Sequence, residues 1–500
     1  PRPEIPLRGD TVTHETARHD DHFRDECGVM AVVNHPEAVS MTAIGLSALQ
    51  HRGQESAGIA AADGLVVTSY KEMGKVADVL TDAALVDVKG HLAIGHVRYS
   101  TTGSSNVRNA QPIHVNTKHG SMAVAHNGNL VNAISLRREM EGEGSIFNTT
   151  NDSECILHLM ARSQQETVDR AAAEALRRVK GAFSVVLIDR ERVMVARDPR
   201  GFRPLCLGQV GDAWVAASET CALDIVGAEY VRDVEPGEIV VLHADGRMDS
   251  YRFVEEEQPH SMCIFEYVYF SRPDSMIYGR SVDAVRRRQG EILAREAPCP
   301  EGDIVISVPD SSNTGALGYA NVAGIPFELG LIRNHYVGRT FIRPSQEIRD
   351  FAVRRKYNPV RRVLEGRNVV VIDDSIVRGT TMKQLVKMLR QAGAAQVHLR
   401  ISSPPITHPC HYGIDTPVRK DLIASSHSVE EIAAYLRVDS LAYLSEKGLM
   451  ESVATTTGFC RACFTGDYPV AFENTGKDVF ETGVRSGKVR AQAPKAKEEA

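Results

Sequence analysis

The sequence lacks everything that would carry a chain into or through a membrane. No run of about 18 apolar residues occurs, so no segment reads as a spanning helix. Residues 1–26 are crowded with Asp, Glu, Arg and His and hold no apolar stretch, which excludes a secretory signal. A disulfide framework is missing too. The nine cysteines are odd in number and scattered, so thiols used for chemistry or metal are the better reading. Together these absences imply a cytoplasmic protein. Positive charge is not in surplus: 58 Lys and Arg stand against 64 Asp and Glu, a net −6. That balance argues against binding nucleic acid through overall charge. Internal repeats are absent as well. What remains is ordinary globular composition, 43% hydrophobic and 24% charged over 500 residues. By length alone that is about three domains.

An apolar strand pattern begins abruptly at Cys27-Gly-Val-Met-Ala-Val-Val. Short β-type runs dominate from there to about residue 250, at 92–97, 122–125, 183–188, 193–196 and 238–242. Apolar spacing predicts a helix over 38–50, with Met41, Ile44 and Ala48 on one face, and another from near Asn151 through Met160. A charged linker, Val254-Glu-Glu-Glu-Gln-Pro-His260, closes this region. Beyond it the pattern becomes strand, Gly/Ser/Thr-rich loop, helix, with strands at 303–308, 369–372 and 397–402. Such alternation indicates a parallel α/β sheet. The chain therefore divides into two domains of different class, 27–256 and 257–470. A leader at 1–26 precedes them, and a Lys-, Ala- and Glu-rich mobile tail follows at 471–500.

Taken singly, the polar residues of the first domain have bland readings. Cys27 suits a small buried hydrophobe, Asn127-Gly128 a hairpin turn, Asp152 a helix cap and Arg52 a surface arginine. Asn151 and Glu154 have capping-box spacing, which would leave Asp152 free for a ligand. Company changes these readings. His51-Arg-Gly-Gln-Glu-Ser-Ala-Gly58, Gly95-His-Val-Arg-Tyr-Ser-Thr101, Ala125-His-Asn-Gly-Asn-Leu130 and Asn151-Asp-Ser-Glu154 are polar clusters set between apolar segments. With Cys27 they resemble the N-terminal-nucleophile glutamine amidotransferase domain, an αββα sandwich. The resemblance implies that Cys27 attacks the carboxamide of glutamine and that residues 1–26 are a propeptide removed by self-processing. A free α-amine, with its pKa of roughly 7.7–8.0, can then exchange a proton with the thiol. It further implies an oxyanion hole from Asn127 and the N–H of Gly128. Arg98 and Asp152 would grip the α-carboxylate and α-ammonium of glutamine, and Arg52 would sit on a loop closing over it.

In the second domain, Val369-Val-Val-Ile-Asp-Asp-Ser-Ile-Val-Arg-Gly-Thr-Thr381 is a buried strand, two carboxylates and a small-residue loop opening a helix. Helix N-terminal N–H groups with the Thr380 and Thr381 hydroxyls make an anion cradle, and Asp373 and Asp374 suit ribose hydroxyls and Mg²⁺-bound water. The run resembles the signature of type I phosphoribosyltransferases, an α/β fold. That resemblance implies a phosphoribosylpyrophosphate site built from Asp373, Asp374, Ser375, Arg378, Gly379, Thr380 and Thr381. Ser311, after the strand end Val308-Pro-Asp-Ser-Ser-Asn313, would add a Mg²⁺ contact. Basic residues between Arg333 and Lys356 would form a lid that sheds water from the activated sugar.

A glutaminase of this type joined to such a phosphoribosyltransferase resembles the glutamine phosphoribosylpyrophosphate amidotransferases. Ser271-Arg-Pro-Asp-Ser275 and Gly338-Arg-Thr-Phe-Ile-Arg-Pro344 extend the match. The family implies the first step of de novo purine synthesis, with ammonia passing internally from glutamine to C1 of phosphoribosylpyrophosphate. It also implies a homo-oligomer, a homotetramer, inhibited by purine nucleotides. Two other readings compete: transfer of the ammonia to a different acceptor, or a sensor of phosphoribosylpyrophosphate without activity. Cys460-Arg-Ala-Cys463 is a C-x₂-C pair that alone leaves zinc, a redox pair or an iron–sulfur site open. One branch of the family carries a [4Fe–4S] cluster, and Cys263, Cys410, Cys460 and Cys463 match its ligand positions. Cys155, Cys206, Cys221 and Cys299 read as packing residues.

Overall fold

The computed structural model describes residues 27–99, 105–335 and 355–473. The leader at 1–26, Ser100 and Thr101, the motif at 338–344 and most of the basic segment after Arg333 lie outside the described residues.

Two antiparallel sheets carry the first half of the chain. One runs, in spatial order, Glu229–Asp233, Cys206–Val210, Ala213–Ala217, Gly28–Val33, Leu92–Arg98, Ser56–Ala62 and Val67–Met73. The other runs Met248–Arg252, Glu238–His243, Arg192–Arg197, Gly181–Ile188, Gly120–Leu130 and Ile113–Thr117. Successive side chains point to opposite faces, and burial of both faces explains why strands such as Gly28–Val33 read as continuous apolar runs. Val29, Ala31 and Val33 face the opposite sheet and meet Ala123, Ala125, Val186 and Val195 there. Met30 and Val32 of the same strand face outward, under the helices that carry Leu46 and Leu223. Across the second sheet, Val185 and Leu187 meet Ile156, Met160 and Leu176. Helix, sheet, sheet and helix thus stack as four layers. This is the expected αββα sandwich.

Two local expectations are corrected here. The first helix spans Ala38–Ala48 and buries the expected Ala48, with Met41 packed on the core, but its other buried residues are Ala38, Thr42, Gly45 and Leu46, and Ile44 is 46% exposed. Met30 decides that face, because a Cβ on Gly45 would lie 1.9 Å from its Sδ. The helix expected from Asn151 begins at Glu154. Thr150 and Asn151 are instead held by Asn109: Thr150 N–H donates to Asn109 Oδ1 at 2.9 Å and Asn151 Nδ2 to Asn109 O at 3.2 Å.

Residues 254–260 form an exposed connection. After it comes a parallel sheet in the order Ile304–Ser307, Asn368–Asp373, Gln396–Ile401, Ser440–Tyr443. Val370 and Ile372 face the helices Val282–Glu296 and Asn313–Ala323, while Val369 and Val371 face Thr380–Gln391. Both faces are covered, as a parallel sheet requires. Of the mobile tail expected over 471–500, residues 471–473 are described and pack on the body of the protein, and 474–500 lie outside the described residues. Phe472 stacks on His411 at 3.6 Å, and Glu473 accepts hydrogen bonds from the N–H and Oγ of Ser135. Stacking on His411 of the second domain and hydrogen bonds from Ser135 of the first hold these residues in place.

Candidate active sites

Cys27 stands at the start of the strand Gly28–Val33, buried, its Sγ 3.4 Å from the carbonyl of Tyr99. Burial pushes its thiol up to about 11; the Tyr99 contact and the Arg98 charge pull the other way, and Asp152 adds to the rise. Arg98 and Asp152 thus act on the thiol electrostatically, in opposite senses. Asp152 is not a cap. Its Oδ2 accepts the N–H of Leu130 at 2.8 Å, which ties the end of strand Gly120–Leu130 to the site. Nor do Asn151 and Glu154 form a capping box. Ser153 is the N-cap residue, Asn151 Oδ1 accepts the Ser153 N–H at 3.0 Å, and Glu154 accepts the N–H groups of Asn148 and Thr149.

Asn127 and Gly128 lie within that strand, opposite Ser184 and Phe183, so they are no hairpin turn. Gly128 has φ +145, and a Cβ there would lie 2.0 Å from the carbonyl oxygen of Ala182. Only glycine fits. Asn127 is buried, and its Nδ2 has no hydrogen-bond partner among the described residues. A buried amide donor without an acceptor is costly, and such exceptions mark sites where a ligand supplies the acceptor.

Arg52 is no surface residue. Its side chain is fully buried, with Nη2 2.6 Å from Glu266 Oε2 and Nε 2.9 Å from Glu219 Oε1. Its stem packs on Gly28, where a Cβ would stand 3.5 Å from Arg52 Cδ. The guanidinium is engaged by two protein carboxylates, which corrects the surface-arginine reading. Sequence reasoning missed both Glu219 and Glu266, because neither belongs to the polar clusters around Cys27. Burial would raise the Glu219 carboxyl, but His51 and Arg52 hold it down to about 2.

In the second domain, Asp373 ends its strand and Asp374 follows, both buried. Ser311 Oγ donates to Asp374 Oδ1 at 2.6 Å, Ser375 Oγ to Asp374 Oδ2 at 2.7 Å, and Ser312 Oγ to Asp373 Oδ1 at 3.1 Å. Asp373 Oδ2 is buried without a hydrogen-bond partner among the described residues. Burial, then the neighbouring Asp374, push the Asp373 carboxyl well above the usual carboxylate range. Gly379, at φ +77, caps the helix Thr380–Gln391, where Thr380 is exposed and Thr381 half-buried. Arg378 lies 3.9 Å from Asp421.

The four remaining cysteines of interest converge. Cys263 pairs in parallel register with Cys460, while Cys410 and Cys460 act electrostatically on Cys463. No disulfide joins them. Among the described residues, the one set of three metal-ligating atoms mutually within 4.8 Å is Cys299, Glu301 and His398. The four thiols are thus spread more widely than the ligands of a single ion.

A glutamine amidotransferase domain family matches residues 96–224. Amidophosphoribosyltransferase of Bacillus subtilis (strain 168) is 50% identical over 453 residues, covering 89% of this chain and 94% of that protein. The chain belongs to the amidophosphoribosyltransferase family. The Synechococcus elongatus enzyme is 48% identical over 477 residues, covering 94% and 96%. A solved structure described as the allosteric regulatory enzyme of purine biosynthesis is 50% identical, with a TM-score of 0.85 over 90% of this chain and 97% of that one. A second, the B. subtilis enzyme complexed with ADP and GMP, has a TM-score of 0.84 and 50% identity over 89% and 97%. The activity of the chain is glutamine-dependent amination of phosphoribosylpyrophosphate, giving phosphoribosylamine, pyrophosphate and glutamate. The sandwich is its glutaminase domain and the parallel sheet its phosphoribosyltransferase domain. The sensor and alternative-acceptor readings fall with this membership. Among the described residues, no helix is long and apolar enough to cross a membrane.

Proposed function

We propose that Cys27 is the glutaminase nucleophile and that the unpartnered Nδ2 of Asn127 is the observation that carries this reading. Attack of the Cys27 thiolate on the glutamine carboxamide places negative charge on the amide oxygen. Asn127 Nδ2 and the N–H of Gly128 receive that charge, and no reorganisation is needed, since the donor is already stripped of partners. Arg98 binds the α-carboxylate and Asp152 the α-ammonium. Collapse of the tetrahedral species expels ammonia and leaves a glutamyl thioester, which water cleaves to glutamate. A thiol held near 11 by burial needs a base, and removal of residues 1–26 supplies one as the α-amine of Cys27. N-terminal sequencing of active enzyme should begin at Cys27; a start at Pro1 overturns the processing step.

Ammonia then passes through the protein to the second site, because in neutral water it would be protonated and lose its nucleophilic lone pair. Asp373 and Asp374 bind the ribose hydroxyls of phosphoribosylpyrophosphate. Ser375, Arg378, Gly379, Thr380 and Thr381 cradle its 5′-phosphate at the helix N-terminus. The partnerless Asp373 Oδ2 and the Ser311–Asp374 pair fit a Mg²⁺ ion. When bound it offsets the charge of the pyrophosphate leaving group. Cys263, Cys410, Cys460 and Cys463 fit a [4Fe–4S] cluster, since four undisulfided thiols more widely spaced than a zinc tetrahedron meet where the C-terminal segment returns. The cluster would pin that segment in place. Iron and acid-labile sulfide in equal amounts support it; colourless protein with one zinc does not. Purine nucleotides act as feedback inhibitors of a cytoplasmic homotetramer, and the ADP and GMP complex of the B. subtilis relative supports the former.

The test measures glutamate and pyrophosphate release with and without each substrate. Cys27→Ala should abolish glutamine-dependent pyrophosphate release yet keep release driven by free ammonia. Retained glutamine-dependent activity overturns the assignment.

A further inference from the structure

The two active sites lie in different domains, and a fully buried ion-pair network crosses the joint between them. Arg52 and Arg203 come from the glutaminase domain, and Glu266 from the second domain meets both. Arg52 Nη2 stands 2.6 Å and Arg203 Nη1 3.5 Å from its carboxylate. All three are 1% exposed or less. Ser271 Oγ donates to Glu266 Oε2 at 2.6 Å.

Each arm of the network ends on proposed catalytic machinery. Arg52 packs on Gly28, beside Cys27, and the next residue, Gly53, lies so close to Arg98 that a Cβ would stand 2.7 Å from its backbone. Arg203 donates to the carbonyl of Tyr412 at 2.6 Å, and its guanidinium flanks Gly413, which abuts Gly128 of the oxyanion strand. On the other side, Arg286 donates to the carbonyl of Ser271 at 2.8 Å, and Asp374 is the foremost charge acting on that guanidinium. A carboxylate of the phosphoribosyltransferase domain thus holds the wall of the thiol pocket and the support of the oxyanion strand together. The same carboxylate is one hydrogen bond from the segment that leads to the substrate carboxylates.

We propose that Glu266 is a positioning residue of the glutaminase site, supplied by the other domain, through which the phosphoribosyltransferase half keeps glutamine hydrolysis in working geometry. The proposal rests on the assignment of Cys27, Arg98 and the oxyanion donors above. Removing its charge takes from the buried guanidiniums of Arg52 and Arg203 a carboxylate that both of them face, and the turn at 51–53 moves with Arg52. The phosphoribosyltransferase chemistry makes no use of Glu266 and should persist.

The test compares glutamine-driven with ammonia-driven synthesis of phosphoribosylamine in the full-length enzyme. Glu266→Gln should lower the glutamine-driven kcat by about tenfold or more and leave the ammonia-driven rate within about twofold. Glu266→Asp should restore part of the loss. Labelling of Cys27 by an electrophilic glutamine analogue, followed by peptide mapping, should slow in parallel. If Glu266→Gln does not fold, Ser271→Ala removes one hydrogen bond from the same carboxylate and should shift the ratio of the two rates in the same direction. Equal loss of both rates, or no change in their ratio, overturns the proposal. Failure of the Cys27 assignment is distinguishable, because mapping would then place the label elsewhere in the unsubstituted enzyme.

Discussion

Asn127 presents a buried amide nitrogen with no acceptor among the described residues, in a strand paired along its length with Gly181–Ile188. Its conversion to alanine should cost about 10²–10³ in glutamine-dependent kcat while glutamine KM changes little, since the donor acts on charge that exists only in the transition state. A matched loss in KM would assign it to substrate binding instead. Cys27 yields a pH prediction of its own. Burial raises its thiol to about 11, so in unprocessed chain the rate of alkylation by a neutral reagent should climb with pH up to that value. Once residues 1–26 are removed, reactivity should appear near neutrality, where the α-amine loses its proton. Mass spectrometry of the Cys27 peptide across pH distinguishes the two forms.

At the scale of single elements, position matters more than composition. The loop from Asp373 to Gly379 works because strand and helix are joined by a residue at φ +77. Gly379→Ala should cost about 1 kcal/mol and raise the KM for phosphoribosylpyrophosphate, because the helix N-terminus that receives the phosphate shifts with the backbone. Unchanged KM in a steady-state titration would show that the loop tolerates the change. The C-terminal segment is the second instructive element. Phe472 stacks on His411, while Asn129 Nδ2 donates to His411 O at 2.9 Å. Phe472→Ala should therefore loosen the 410–413 loop, with a loss of about 3 kcal/mol or less. Its effect should appear as a lower melting temperature with both substrate-driven rates reduced together.

For the whole molecule, the buried joint sets an acid limit. Glu219 is held at about 2 against an ordinary 4.5. A depressed carboxyl stabilises the fold fully above its unfolded value, and that contribution fades as pH falls through the window from 4.5 toward 2. Thermal unfolding followed from pH 6 downward should show the loss, at about 1.4 kcal/mol per pH unit at steepest for one group, and Glu219→Gln should flatten it. An unaltered acid limb in that variant would place the limit elsewhere. Both folds were legible in the sequence, as were the polar residues proposed here for the two sites. Strand runs such as 183–188 are apolar on both faces, and Cys27, Asn127, Asp373 and Asp374 sit in motifs whose residue types suit their chemistry. What lay beyond it were non-local choices. Thr150 and Asn151 pair with Asn109 and so delay a helix, Met30 selects the buried face of Ala38–Ala48, and Phe472 finds His411. Glu219 and Glu266 carried no signal, because two carboxylates far apart in sequence become a site only when two domains bury them against the same arginine. Local patterning fixes which elements form and which groups they carry; burial, close packing and charge pairing across long separations are properties of the assembled chain alone.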